Sequence, residues 1–233
     1  MTKFDPTHQH RQAPPVAALP APVFSSPPPA GLALLERLPE IFREIFPMSG
    51  ADKRQLPYNV AALSEILTIR RGRLADRSYW SSPALTGAYL WYFLPWNLVR
   101  LMSLMPGVQF ELAPGAKILD IGSGPLALPL ALWLSRPDLR GLPLRFTCLD
   151  SAALPLRLGR ACFNALAGPD SPWQIKAVPE ALFLALPRQS RDFDLLTACN
   201  MLNEVKPGRQ SNLGLHLERQ VNDLAGHLKP GGQ

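Results

Sequence analysis

The stretch "AKILDIGSGPLALPLALWL", residues 116 to 134, limits the possible folds more than any other part of the chain. A short β-type run, "KILDI", meets a glycine turn and then an apolar, helix-like run. Glycine between a strand and a helix permits positive φ and lets the backbone come close to a ligand. The helix that follows opens with amides lacking intrahelical partners. Pro125 suits the first helical turn, and Pro129 is tolerated while still within it. Such a turn starts a helix with or without a ligand, so its chemistry must be read from the residues around it.

The pattern downstream repeats. "PLALPLALWLS" (125–135) reads as a helix, "LRFTCLD" (144–150) as a strand and "LPLRLGRACFNAL" (154–166) as a helix. "WQIKAV" (173–178) follows as a strand and "EALFLAL" (180–186) as a short helix. "FDLLTACNML" (193–202) begins as a strand, and "SNLGLHLERQVNDLAGHL" (211–228) is a helix. Strands alternating with helices predict an α/β fold, a parallel Rossmann-like sheet covered on both faces with its ligand edge at the strands' carboxyl ends. "LKPGGQ" stops where another strand is expected, and four strands would leave an edge exposed. The sequence therefore predicts a core over residues 114–233 whose carboxyl-terminal strands are missing.

Upstream, residues 32–113 read as a helical region. "LALLERLPEIFREIF" is amphipathic and divided by Pro39, "YNVAALSEILTIRRGRLADRSYW" gives a second helix, and "SPALTGAYLWYFLPWNLVRLMSLM" a third that is expected to break near Pro95. The chain holds 26 prolines, roughly twice the usual share, and eight of them fall in residues 1–31. That segment reads as a disordered proline-rich tail, without the apolar core of a secretory signal. The longest aromatic-apolar stretch is interrupted by Pro95, Asn97 and Arg100, so no membrane segment is predicted. A net charge of +6 with a pI near 9.5 favours an anionic partner such as RNA. Cys148, Cys162 and Cys199 are dispersed in apolar settings. They read as buried thiols of a reducing, cytoplasmic compartment rather than disulfides or a metal site.

Two nucleotide readings fit the turn. "GSGPLA" satisfies the dinucleotide pattern G-x-G-x-x-G/A with Ala127 in the last place. "DIGSG" satisfies D-x-G-x-G, the start of the S-adenosylmethionine pattern. Asp120 favours the second, because a carboxylate in this mouth repels a pyrophosphate and attracts a cofactor carrying an ammonium and a sulfonium. Asp150, at the tip of the second strand, can accept both ribose hydroxyls, and it can equally cap the next helix.

The segments "ILDIGSG", "FTCLD", "FDLLTACNMLNEV" and "LKPGG", in this order over residues 116–232, resemble the class I S-adenosylmethionine-dependent methyltransferases. "LPYNVAALSEIL", "DIGSGP" and "NMLNEV" are further similar to the ribosomal small-subunit-associated methyltransferase-like proteins of bacteria and mitochondria. The resemblance implies S-adenosyl-L-methionine held by Asp120, Gly122, Ser123, Gly124, Asp150, Ser151 and Asn200. It also implies a ribosomal RNA or ribosome-associated methyl acceptor facing the fourth strand's end, where Asn203 and Glu204 follow. Leu126 departs from the pattern, standing where the family has its third glycine, and is expected to crowd the methionine end of the pocket. Glu180 is a candidate adenine contact or a helix starter. Arg70, Arg71, Arg73 and Arg77 suit phosphate contacts or a solvated helix end. Tyr79 and Trp80 either stack on bases or fill the interface between the helical region and the core. The rival functions are a non-catalytic cofactor-binding ribosome-assembly factor and an NAD(P)-dependent oxidoreductase.

Overall fold

The computed structural model describes residues 24–68, 79–199 and 213–233. Among the described residues, five α-helices precede the sheet: α1 (Pro29–Leu35), α2 (Leu38–Ile45), α3 (Gly50–Thr68), α4 (Pro83–Ala88) and α5 (Leu94–Leu104). The break between α1 and α2 places Pro39 in the first turn of α2, where its missing amide costs nothing. Helix α3 begins eight residues before the apolar pattern does. Ser49 and Asp52 cap it reciprocally, with the Asp52 amide donating to Ser49 Oγ (3.2 Å) and the Ser49 amide to Asp52 Oδ2 (2.9 Å). Pro57 then lies inside the helix.

The third predicted helix does not break at Pro95. Residues Tyr89–Phe93 form a π-helical turn joining α4 to α5, and the Leu94 amide reaches back to the Tyr89 carbonyl. Pro95 has no amide to offer the preceding turn, and widening that turn lets the helix run on. The described structure also reaches into the segment predicted as a tail. The Ser25 amide donates to the Ser103 carbonyl at 2.9 Å, and α1 is under way at Pro29.

The rest is four parallel strands and their connections: β1 (Lys117–Ile121), α6 (Ala127–Ser135), β2 (Arg145–Asp150), α7 (Ala153–Ala167), β3 (Gln174–Pro179), α8 (Leu182–Ala185), β4 (Leu195–Thr197) and α9 (Leu213–Ala225). The strand order is β3-β2-β1-β4. Going outward from β1 to β3, α6 and α7 cover one face. The chain then crosses back to β4, and right-handed connections require the next helix to change sides. Two separate cores record that change. Ile118, Phe146 and Leu195 join α6 and α7 in one, while Leu119, Ile121 and Leu149 pack with Ala185 and Leu224 in the other. This is an α/β architecture consistent with a Rossmann-like fold, with its topological switch point between β1 and β4.

The amino-terminal helices share the core of the sheet. Leu38, Phe42, Leu94, Leu98 and Met102 belong to the same buried cluster as Ile118 and Leu130. The strand predicted from residue 193 is shorter than expected, but its outer edge is engaged. The Gln233 amide donates to the Asp194 carbonyl (2.9 Å), and the Leu196 amide to the Gln233 carbonyl (2.7 Å). No helix among the described residues is long and apolar enough to cross a membrane.

Candidate functional site

The glycine turn lies at the carboxyl end of β1, beside the switch point. Gly122, Gly124 and Leu126 have φ of 65°, 49° and 58°. Alternating left-handed residues tighten the path from strand to helix, and α6 begins only at Ala127, two residues later than Pro125 predicts. The turn is held from two sides. The Ser123 amide donates to the Leu149 carbonyl of β2 at 3.0 Å. From above, α7 presses Gly159 so close that a Cβ there would lie 2.3 Å from the carbonyl carbon of Pro125. A Cβ built on Gly124, by contrast, meets nothing within 4 Å. The turn is packed on its core side and open on the other.

Leu126 does not crowd that open side. Its side chain is fully buried within the core beneath α6. The leucine adopts a left-handed backbone that costs an ordinary L-residue about 1–2 kcal/mol, and its buried side chain offsets that cost.

Two carboxylates flank the turn. Asp120 is 1% exposed. Its Oδ2 accepts from Ser123 Oγ (2.6 Å) and its Oδ1 from Thr197 Oγ1 (2.8 Å). Burial raises its pKa from 3.8 to about 6 against the lowering effect of both hydroxyls, with Asp150 adding a smaller push upward. The acid is thus deeper than a residue lining a mouth, acting through its field and through the shape it gives the turn. Asp150 is half-buried. Its Oδ2 accepts the Gly124 amide (2.8 Å) and its Oδ1 the Ala152 amide (2.9 Å), so it ties the glycine turn to the start of α7. Burial raises its pKa as well, opposed by those two amides. Neither carboxylate has a lysine, arginine or histidine partner among the described residues.

The structure therefore brings Asp120, Gly122, Ser123, Gly124 and Asp150 to one sheet edge, and Ser151 stands exposed beside them. Asn200 lies outside the described residues, as do Asn203, Glu204, Arg70, Arg71, Arg73 and Arg77. Glu180 is ion-paired with Arg188. Trp80 is buried against Tyr89, ring centroids 4.7 Å apart, so it fills the helical region rather than offering a stacking face. Thr197 belongs to the candidate site although its sequence context does not single it out. It stands opposite Asp120 in the β1–β4 register, and the hydroxyl in "FDLLTACN" is a signal only once those strands are paired.

Cys148 faces Asp120 across the β1–β2 register. Burial pushes its thiol well above the ordinary range, with Asp120 adding to the rise, and burial takes Cys162 and Cys199 up to about 12. All three are free. They remain protonated at neutral pH and are poor nucleophiles. No known family model matches the chain, and no curated protein matches it.

Proposed function

We propose that the glycine turn and its two carboxylates bind S-adenosyl-L-methionine, and that the protein is a class I methyltransferase acting on ribosomal RNA or a ribosome-associated substrate. The observation that carries this reading is a pair of buried or half-buried carboxylates, Asp120 and Asp150, with no cationic side chain among the described residues to neutralise them. Uncompensated buried negative charge is costly, and a cationic adenosyl ligand offsets it where a pyrophosphate adds to it.

The residues present fit the cofactor. Gly124 leaves open space where any other side chain would stand. Each oxygen of Asp150 accepts one amide and keeps a second lone pair for a ribose hydroxyl. When bound, the cofactor supplies a methyl group already activated on a sulfonium sulfur. The chain's own residues need only hold the donor in line, exclude water and supply a field that favours positive charge over the turn.

A second reading, cofactor binding without turnover in ribosome assembly, draws on one observation. Asp120 bonds two hydroxyls within the buried turn, and Asp150 bonds two amides with its remaining lone pairs assigned to the ribose, so neither is placed as a proton acceptor for a methyl acceptor. Calorimetry with S-adenosylmethionine, S-adenosylhomocysteine and NAD, followed by transfer of labelled methyl to ribosomal RNA, separates the readings. Binding of the first two with transfer supports the enzyme, and binding without transfer supports the assembly factor. Binding of NAD alone refutes both in favour of an oxidoreductase.

A further inference from the structure

A groove of about 370 Å³ lies along the outer edge of the sheet between α7 and β3, with Pro179 at one end as the register partner of Asp150. Ala153, Leu156, Ala177 and Pro179 form its apolar floor, and Arg157 and Arg160 stand along its rim. Both arginines are exposed. They sit three residues apart, on one side of α7. Neither has an ion-pair partner among the described residues.

Below the groove runs a sheet edge with free backbone. Strand β3 pairs only with β2 among the described residues. The Gln174 amide donates to the Leu144 carbonyl of the inner neighbour at 2.8 Å. Backbone groups alternate sides along a strand, so Ile175 and Ala177 turn their N–H and C=O groups outward. Lys176 is exposed on the opposite face of the same strand, and Glu180 just beyond it is neutralised by Arg188. The charged side chains carried by α7 and β3 themselves, Arg157, Arg160 and Lys176, are therefore all positive, with the exposed Asp170 in the turn between them. Pro179 closes the edge at one end by removing an outward donor.

We infer that this edge is a docking site for an extended, acidic peptide segment of a partner protein, which adds a strand to β3 and places its carboxylates beside Arg157 and Arg160. Main-chain pairing supplies the affinity in such a mode, and alternate side chains supply the selectivity. Small apolar residues fill the floor's shallow space, and acidic ones satisfy the rim. A nucleic acid strand suits the site less well, because the floor has no aromatic ring for a base to stack on. A second copy of the chain suits it less well too, since symmetric pairing of two β3 edges sets the same positive groups against each other.

The test uses the full chain and a short labelled peptide of alternating valine and glutamate. Controls are the same peptide with lysine for glutamate, a version N-methylated on the face that would meet β3, and oligouridylate. We expect saturable binding of the acidic peptide alone, with slowed hydrogen exchange at the Ile175 and Ala177 amides. Binding should weaken by about tenfold in the Arg157→Glu/Arg160→Glu variant. The milder Arg160→Gln should weaken it less, and it reports on the site should the double variant fail to fold. No binding, equal binding of the lysine or N-methylated peptide, or an unchanged affinity in the variants overturns the proposal. Protection of the same two amides by oligouridylate overturns it in favour of a nucleic-acid surface.

Discussion

Replacing Asp120 by asparagine should make the protein more stable and a worse binder of the cationic cofactor. The carboxylate's pKa is raised from 3.8 to about 6 by burial. In the folded state its charged form is therefore disfavoured relative to the unfolded chain. The folded protein holds this proton more tightly, so stability falls as pH rises from 3.8 through 6 and is level above that window. At about 1.4 kcal/mol per pH unit, the loss comes to about 3 kcal/mol. Asparagine keeps the shape, and its amide can bond both the Ser123 and Thr197 hydroxyls while carrying no charge. Urea unfolding of the wild-type protein and Asp120→Asn, from about pH 4 to about pH 7.5, should give equal stabilities at the acid end and a gap opening toward neutrality, with the same slope m in both proteins. Taking the difference between the two proteins removes the contributions of Asp52, Asp138 and Asp192, whose pKa values move the other way. Calorimetry at neutral pH should find S-adenosylmethionine bound about tenfold or more weakly by the variant, as expected for loss of a charged interaction. Parallel curves across the pH range, or a variant less stable at neutrality, would refute the view that a costly charge is kept there.

Three further substitutions probe the turn. Gly124→Ala places a methyl in the open side of the cradle at a φ of 49°; it should cost about 1–2 kcal/mol in thermal unfolding and reduce cofactor affinity in the same calorimetric assay. Leu126→Gly relieves a left-handed leucine but empties a core site, so we expect a net loss of about 1–3 kcal/mol with cofactor affinity unchanged; a gain in affinity would show that the leucine crowds the pocket after all. Gly159→Ala drives a methyl into the Pro125 carbonyl and should lower the denaturation midpoint, an overpacking loss of about 1–3 kcal/mol. It should also loosen the turn, seen as faster exchange of the Ser123 amide.

The order of strands and helices after residue 116 was legible because each strand is a short apolar run punctuated by glycine, proline or aspartate, and local pattern decides such elements. "KILDI" is the observed β1 to the residue. Where the reading went astray, the deciding interaction was either a cap or a distant contact. The start of α3 depends on Ser49 and Asp52, a capping pair in "SGAD" that hydrophobic periodicity does not register. Pro95 looks like a helix breaker until a wide turn absorbs its missing amide. For the site, the carboxylates and glycines could be named from spacing alone. That Asp120 sinks between Ser123 and Thr197, and that Leu126 turns into the core, depends on strand pairing and burial. No single stretch of sequence carries that information.

The two ends of the sheet offer an internal comparison. At the amino end of β1, Asp192 is ion-paired with Lys117, and that hydrogen bond lowers its pKa. Burial alone would raise Asp194 there, but Lys229, the Lys117 amide and the Lys229 charge together hold it below the ordinary range. At the carboxyl end, Asp120 and Asp150 have hydroxyls and amides for partners but no cation among the described residues, and both are raised. Among the described residues, the acids that join strands are neutralised by lysine and those beside the open glycine turn are not. On the proposed reading the cation arrives with the ligand, and this ties the predicted stability gain of Asp120→Asn to its predicted loss of binding.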